Sequence, residues 1–128
     1  MQDAPNLVEL VSAVAAFVRD DAMPNLSGRH AYMARVAANV LDIVARELEQ
    51  APANDAAELA RLRSLLGRDG DLRTLNEALC ERIAGGELGL HTPGLFEHLW
   101  QVTMAKIAID QPGYSGYRRA LKEGPAGA

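Results

Sequence analysis

The chain has 128 residues, of which 48% are hydrophobic and 23% charged, and its formal net charge is −4 with a pI near 5.3. This length and composition predict one folded domain around a single core. The acidic balance argues against a nucleic-acid-binding protein, and no apolar run approaches the ~18 residues of a membrane span. Because the N-terminal residues lack a signal-peptide pattern and Cys80 is the one cysteine, we expect a cytoplasmic protein.

Two amphipathic helices are predicted in the first fifty residues. Asn6 and Glu9 have the spacing of a capping box, so a first helix should cover about residues 6–21. Ser27 can cap a second helix over about residues 28–50. Each helix has an apolar stripe at a spacing of three and four residues, and we expect both stripes to face the core. The stripes comprise Leu7, Leu10, Val11, Val14, Phe17 and Val18 in the first helix and Met33, Val36, Ala37, Val40, Leu41, Val44 and Leu48 in the second.

Proline and glycine divide the middle of the chain into further helices. Pro52 should break the chain after the second helix. A third helix over about residues 55–66 should end at Gly67, and a fourth should begin at Asp71 and end at Gly85. No segment shows the alternating pattern of a strand.

The C-terminal third contains one more long helix and a turn. Thr92, followed by a proline, should cap a fifth helix that runs to about Asp110. Pro112-Gly113 predicts a tight turn, and a short sixth helix should cover about residues 116–122. We call residues 112–117 the elbow.

These elements predict an all-α fold. The short connections favour antiparallel neighbours. We therefore expect a single-domain bundle of about five helices plus a short C-terminal helix over residues 1–123, followed by a disordered tail at 124–128.

No catalytic or cofactor motif is present in the sequence. Neither common glycine-rich phosphate loop occurs. The three histidines, His30, His91 and His98, have no second His, Cys or helical carboxylate at the spacing of three or four residues, so no metal site is expected. Residues 113–116 match part of a nucleophile elbow but lack its final glycine and its preceding strand. We expect no catalytic residue, no cofactor and no enzymatic activity of the isolated chain.

Polar residues on two helices are candidates for a partner surface. A stripe of the second helix, opposite its apolar stripe, contains Arg35, Asn39, Asp42 and Arg46. It is either a solvated face with contacts such as Asp42 to Arg46, or a surface for a partner. In the fourth helix, Asn76 lies on the apolar face. Because a buried amide needs hydrogen-bond partners, we expect Asn76 to join two helices or to anchor a loop.

Two further charges lie near the end of the fifth helix. Lys106 falls near the middle of an apolar arc, and Asp110 follows one turn later. Either Lys106 extends to solvent near the helix C-terminus, or the two residues form a partly buried pair that holds the elbow for recognition.

Three segments resemble a bacterial family of small helical proteins of unassigned domain type. They are ARVAANVLDIVAREL (residues 34–48), LNEALCERIAGGEL (75–88) and KIAIDQPGYSGYRRAL (106–121). Members of that family are encoded beside aminoglycoside-phosphotransferase-like kinases and acyl-CoA dehydrogenases. In the family's best-understood setting, the small protein is a required partner of the kinase, which phosphorylates the hydroxyl of a hydroxyacyl-CoA.

The resemblance implies a non-catalytic accessory subunit of such a kinase, with no nucleic-acid or membrane partner. Residues that match motif positions of the family are candidates for the partner or ligand surface: Arg35, Asn39, Arg46, Lys106, Asp110, Tyr114, Tyr117 and Arg118. The alternative is a small helical protein that itself holds an acyl-CoA. The alternative requires a concave apolar pocket, whereas a partner role requires an exposed patch. The sequence leaves open whether the isolated chain forms a homo-oligomer.

Overall fold

The computed structural model describes residues 4–125 and confirms the all-α prediction, since those residues contain no strand. A π-helix over Phe17–Ala22 and a 3-10 turn over Met23–Asn25 connect the first two α-helices. Of the predicted tail, residues 126–128 lie outside the described part. The α-helices of the described residues are α1 (Leu7–Ala16), α2 (Gly28–Leu66), α3 (Leu72–Ala84), α4 (Leu95–Asp110) and α5 (Ser115–Glu123).

The predicted capping box fixes the start of α1. The Asn6 side chain accepts a hydrogen bond from the Glu9 backbone N–H at 3.0 Å, and the Glu9 carboxylate accepts one from the Asn6 N–H at 2.7 Å. The two bonds satisfy donors that a helix N-terminus otherwise leaves free. The local sequence therefore sets this helix boundary.

The predicted break at Pro52 is wrong, because α2 runs through it. A proline inside a helix removes one backbone hydrogen bond, but the residues on both sides, LEQA and ANDAAEL, are rich in helix-forming Ala, Leu and Glu. The predicted second and third helices are therefore one. The chain still divides at this position into two compact units, Met1–Ala51 and Pro52–Ala128. We call them the first and the second unit.

The second unit has a leucine core. Its buried cluster comprises Leu62, Leu75, Leu79, Leu88 and Leu95. Leu62 and Leu75 are 0% exposed, and further leucines of α2 and α3 pack against the cluster. The expectation that the apolar positions of the predicted third and fourth helices face inward is confirmed for the leucines and wrong for Ile83, which is 38% exposed near the end of α3.

One helix start of the second unit follows the prediction and another does not. Asp71 caps α3 by accepting from the Thr74 backbone N–H at 2.8 Å, and the hydrogen bonds from Thr74 lower the pKa of the Asp71 carboxyl. Thr92 does not cap α4, because its hydroxyl accepts from the Gly89 N–H at 3.0 Å. The N-cap is Gly94, whose φ of 82° is a left-handed conformation that glycine adopts without strain.

The first unit has no comparable core. Among its described residues, the buried apolar side chains are those of Ala15 and Ala38. The prediction that both apolar stripes face inward is wrong for their largest members. The exposed members are Leu7, Leu10 and Val14 on α1, Phe17 at the start of the π-helix, and Met33, Val40, Val44 and Leu48 on α2, with exposed fractions between 38% and 65%.

Candidate functional site

Backbone hydrogen bonds set the geometry of the elbow. The Gln111 N–H donates to the Ile107 carbonyl at 2.8 Å and so closes α4. The Tyr114 N–H then donates to the Gln111 carbonyl at 2.9 Å, across the tight turn predicted at Pro112-Gly113. The α5 helix begins directly after this turn and packs against α4.

An apolar groove lies between α4 and α5. Its volume is about 300 Å³, and the side chains that line it include Trp100, Met104 and Ile107 of α4 with Tyr114, Tyr117 and Ala120 of the elbow and α5. Tyr114 is 54% exposed, whereas Tyr117 is half-buried. An ion pair on α5, between Arg119 and Glu123 at 4.0 Å, lies at the edge of the groove. The elbow groove thus combines aromatic walls with a charged rim.

The absence of a side chain at Gly116 leaves room for the Tyr114 ring beside α5. A Cβ atom at Gly116 would lie 2.6 Å from Cε1 of Tyr114 and 3.0 Å from its Cζ. A separation this short is a steric clash, so any larger residue would displace the ring. Because Tyr114 lines the groove, the absence of a side chain at Gly116 helps to determine the shape of the groove.

The hypothesis of a partly buried pair between Lys106 and Asp110 is wrong. Both residues are exposed, and the structure shows no ion pair between them in the part of the chain it describes. The reason is that the apolar arc of α4 is itself only partly covered, with Phe96 50% exposed and Leu99 45% exposed. Lys106 and Asp110 therefore do not hold the elbow in place.

The remaining predicted surface residues fall in two places. Tyr114 and Tyr117 come together at the groove, and Arg118 is exposed nearby on α5. Arg35 and Asn39 are exposed on α2 in the first unit, and Arg46 there is half-buried. The neighbouring Asp42, for which we predicted a contact with Arg46, forms an ion pair with Arg19 of the π-helix. The predicted surface residues therefore do not form one patch within a single unit.

A buried polar cluster in the second unit was missed as a group. Asn76 donates to the Glu58 carboxylate at 2.6 Å, so it joins α3 to α2 as predicted. His98 of α4 is only 2% exposed, and its Nδ1 has no hydrogen-bond partner, as is also true of the buried Nε of Arg61. Burial lowers the pKa of His98, the positive charge of Arg61 acts in the same direction, and Glu58 opposes them. His98 is therefore a neutral interior side chain at neutral pH.

The sequence did contain a signal for the burial of His98. This residue lies three positions after Leu95 and four before Val102, which places it on the same side of α4 as both apolar residues. Helical position alone would have predicted a buried histidine.

A second cavity lies between the end of α2 and the start of α4. Its volume is about 390 Å³, and charges of both signs line it, from Arg61 and Glu97. Ser64 and Thr92 add hydroxyl groups. The lining therefore offers hydrogen-bond donors and acceptors as well as charge.

Metal and membrane sites were sought over the same part of the chain. Within residues 4–125, no group of three or more His, Cys, Asp or Glu side chains is placed to hold a metal ion. Of the helices described there, none has the length and apolar character needed to cross a membrane.

Comparison with known proteins identifies a family and no activity. A family model with the description "Domain of unknown function (DUF6285)" matches residues 24–114, which is well over half of the chain. No curated protein and no solved structure matches the chain.

Proposed function

Since the chain belongs to the DUF6285 family of unknown function, we propose that it is a non-catalytic accessory subunit of an aminoglycoside-phosphotransferase-like kinase that acts on hydroxyacyl-CoA substrates. The resemblance of residues 34–48, 75–88 and 106–121 to kinase-associated small proteins supports the proposal. In this proposal the elbow groove is the surface that contacts the kinase. The complex would act in the cytoplasm.

The observation that carries the proposal is the exposed aromatic groove at the elbow. Tyrosine, tryptophan and arginine are the residues that contribute most to protein interfaces. Trp100 and Tyr114 line the groove together with Arg119, and Arg118 is exposed on α5 outside this lining. Phe96 stacks on Trp100 with a centroid distance of 6.3 Å and is half exposed, so the apolar surface continues along α4. A protruding side chain of a partner could enter the groove while its neighbours contact Phe96 and Arg119.

The size of the groove favours a protein partner over a free acyl-CoA. Its volume of about 300 Å³ is at the lower end of the ~300–1,000 Å³ typical of sites that enclose a drug-sized ligand. An acyl-CoA, with its nucleotide, phosphates and pantetheine arm, is larger than such a ligand. The groove has room for a side chain or a short acyl group.

Co-purification with the neighbouring kinase is the direct test. We expect a tagged kinase to retain the wild-type chain and to lose at least tenfold in affinity for the Tyr117→Ala and Arg118→Ala variants, the size of effect expected for interface residues of these types. Both variants should melt close to the wild-type temperature. The kinase should phosphorylate a hydroxyacyl-CoA only when the chain is present.

Tyr32→Ala is the matched control. It removes a ring that is 62% exposed from the first unit, near the stripe of Arg35 and Asn39. If Tyr32→Ala weakens kinase binding and Tyr117→Ala does not, the polar stripe of Arg35 and Asn39 on α2 and not the elbow is the interface. If the chain alone binds an acyl-CoA in calorimetry and the kinase is not retained, the acyl-CoA-binding alternative replaces the accessory-subunit proposal.

A further inference from the structure

The first unit exposes two apolar stripes. The first stripe comprises Leu7, Leu10 and Val14 of α1 with Phe17 directly after it, and the second comprises Met33, Val40, Val44 and Leu48 of α2. We call these the α1 stripe and the α2 stripe. The described part of the first unit buries no apolar side chain larger than alanine. A unit of this size without a core is marginal alone, so its large side chains need another surface to cover them.

The geometry of the hairpin places both stripes on one side. We expect the short connection to make α1 and α2 antiparallel neighbours, and the Arg19–Asp42 ion pair joins the π-helix that follows α1 to α2. At 100° per residue, each stripe lies about 100–130° from the buried alanine of its own helix. Viewed from one end, two antiparallel helices wind in opposite senses. The angular offsets of the two stripes from their buried alanines therefore point to the same side of the hairpin. The stripes therefore form one continuous apolar face.

The area of this face matches what a stable dimer needs. From the exposed fractions of 38–65%, the eight side chains leave roughly 700 Å² accessible, against about 800 Å² per partner in a standard protein interface. Isolated monomers rarely expose an apolar patch above ~300–600 Å².

The charges beside the α2 stripe are arranged for a second copy of the same chain. Arg29 and Glu47 are both exposed, and neither forms an ion pair within the described residues. They are 18 residues apart, which is five whole turns and about 27 Å of helix, so both lie on the same edge of the stripe. If two α2 helices cross antiparallel about a two-fold axis near Ala38, each Arg29 meets Glu47 of the other copy. A two-fold interface requires this self-complementarity.

We propose that the chain forms a two-fold homodimer through the α1 and α2 stripes, with α2 antiparallel to its copy and Arg29 paired with Glu47 across the interface. This inference is independent of the proposed function, since it concerns the first unit and the elbow groove belongs to the second.

Sedimentation equilibrium of the full chain tests the dimer. We expect twice the 13.8 kDa mass at micromolar protein, and at least a hundredfold weaker self-association for Val44→Lys, which places a charge in the middle of the α2 stripe. The control is Leu90→Lys, at a residue 92% exposed in the second unit, which should leave self-association unchanged. A wild-type chain that stays monomeric up to about 100 μM, far above the dissociation constants of stable complexes, overturns the proposal.

A charge exchange tests the pairing. Arg29→Glu and Glu47→Arg each bring like charges together at two symmetric positions, so each should weaken the dimer at least threefold. The double variant Arg29→Glu with Glu47→Arg restores opposite charges and should recover the wild-type dissociation constant. If the double variant is no tighter than the single variants, the antiparallel two-fold arrangement is wrong. Circular dichroism of each variant confirms that α-helix content is retained.

Discussion

The two units of this chain have the same kind of apolar spacing, but their apolar side chains differ in burial. In the second unit, leucines at helical spacing form a buried cluster around Leu62 and Leu75. In the first unit, an equally regular spacing leaves Leu7, Phe17 and Val40 more than half exposed, and among its described residues only alanines are buried. Periodicity therefore shows that a face is apolar. Whether the face becomes core depends on which surfaces are there to cover it.

Core truncation should show the largest difference between the units. We expect Leu75→Ala to lower the free energy of unfolding by ~2–5 kcal/mol, because it opens a cavity at a fully buried position. Val44→Ala, at a residue 40% exposed, should cost under ~1 kcal/mol in dilute protein. Urea unfolding followed by circular dichroism gives both values.

Protein concentration sharpens this comparison. If the first unit dimerises, the loss from Val44→Ala should grow with protein concentration, because association stabilises the folded state, whereas the loss from Leu75→Ala should not. If the loss in the free energy of unfolding stays constant with protein concentration for both variants, the two units do not differ as described.

The hydrogen bond between α2 and α3 should contribute the next largest effect. Asn76→Ala removes the donor to Glu58 and to the Leu72 carbonyl and leaves a half-buried carboxylate without that partner. We expect a loss of ~1–3 kcal/mol in the free energy of unfolding. Asn39→Ala is the matched control, since Asn39 is an exposed amide on α2 of the first unit. Its substitution should stay within ~0.5 kcal/mol, and a loss as large as that from Asn76→Ala would contradict the structural role of Asn76.

His98 should make the stability of the second unit depend on pH. Burial lowers the pKa of His98 below its ordinary value of 6.5, so the unfolded chain binds this proton more readily than the folded one. Its contribution is therefore complete above pH 6.5 and is lost progressively as the pH falls below that value. We expect the melting temperature to decrease between about pH 7 and about pH 5, and His98→Leu to reduce that decrease.

His30→Gln controls for the loss of a histidine in general. His30 is exposed on α2, so this substitution should change the free energy of unfolding by no more than ~0.5 kcal/mol. An unchanged slope in the His98→Leu variant would show that other groups cause the acid sensitivity.

The smallest effect is expected for the charges at the end of α4. Asp110 and Lys106 are exposed and unpaired with each other, so Asp110→Ala and Lys106→Ala should each change the free energy of unfolding by no more than ~0.5 kcal/mol. Thermal melts of the two variants check this expectation. A loss above ~2 kcal/mol for either one would restore the hypothesis of a buried pair.

The candidate site was predictable only in part. The tight turn at Pro112-Gly113 and the short helix after it follow from local residue preferences, and the structure contains both. The groove was not predictable, because Trp100 and Met104 belong to α4 and meet Tyr117 only when α5 packs back against α4. The exposure of Lys106 also depends on tertiary packing, so its spacing along the helix could not predict it.

By itself the sequence determined the all-α class and the helix starts at Asn6 and Asp71, because a helix cap is a hydrogen bond between residues three apart. It did not determine whether α2 would pass through Pro52. That outcome depends on whether the stability of the helix on both sides exceeds the cost of the one backbone hydrogen bond that proline removes. Nor did it determine which apolar face would be buried. Only tertiary structure decided that Leu75 is core and Val40 is surface, because burial depends on contacts between residues far apart in the chain.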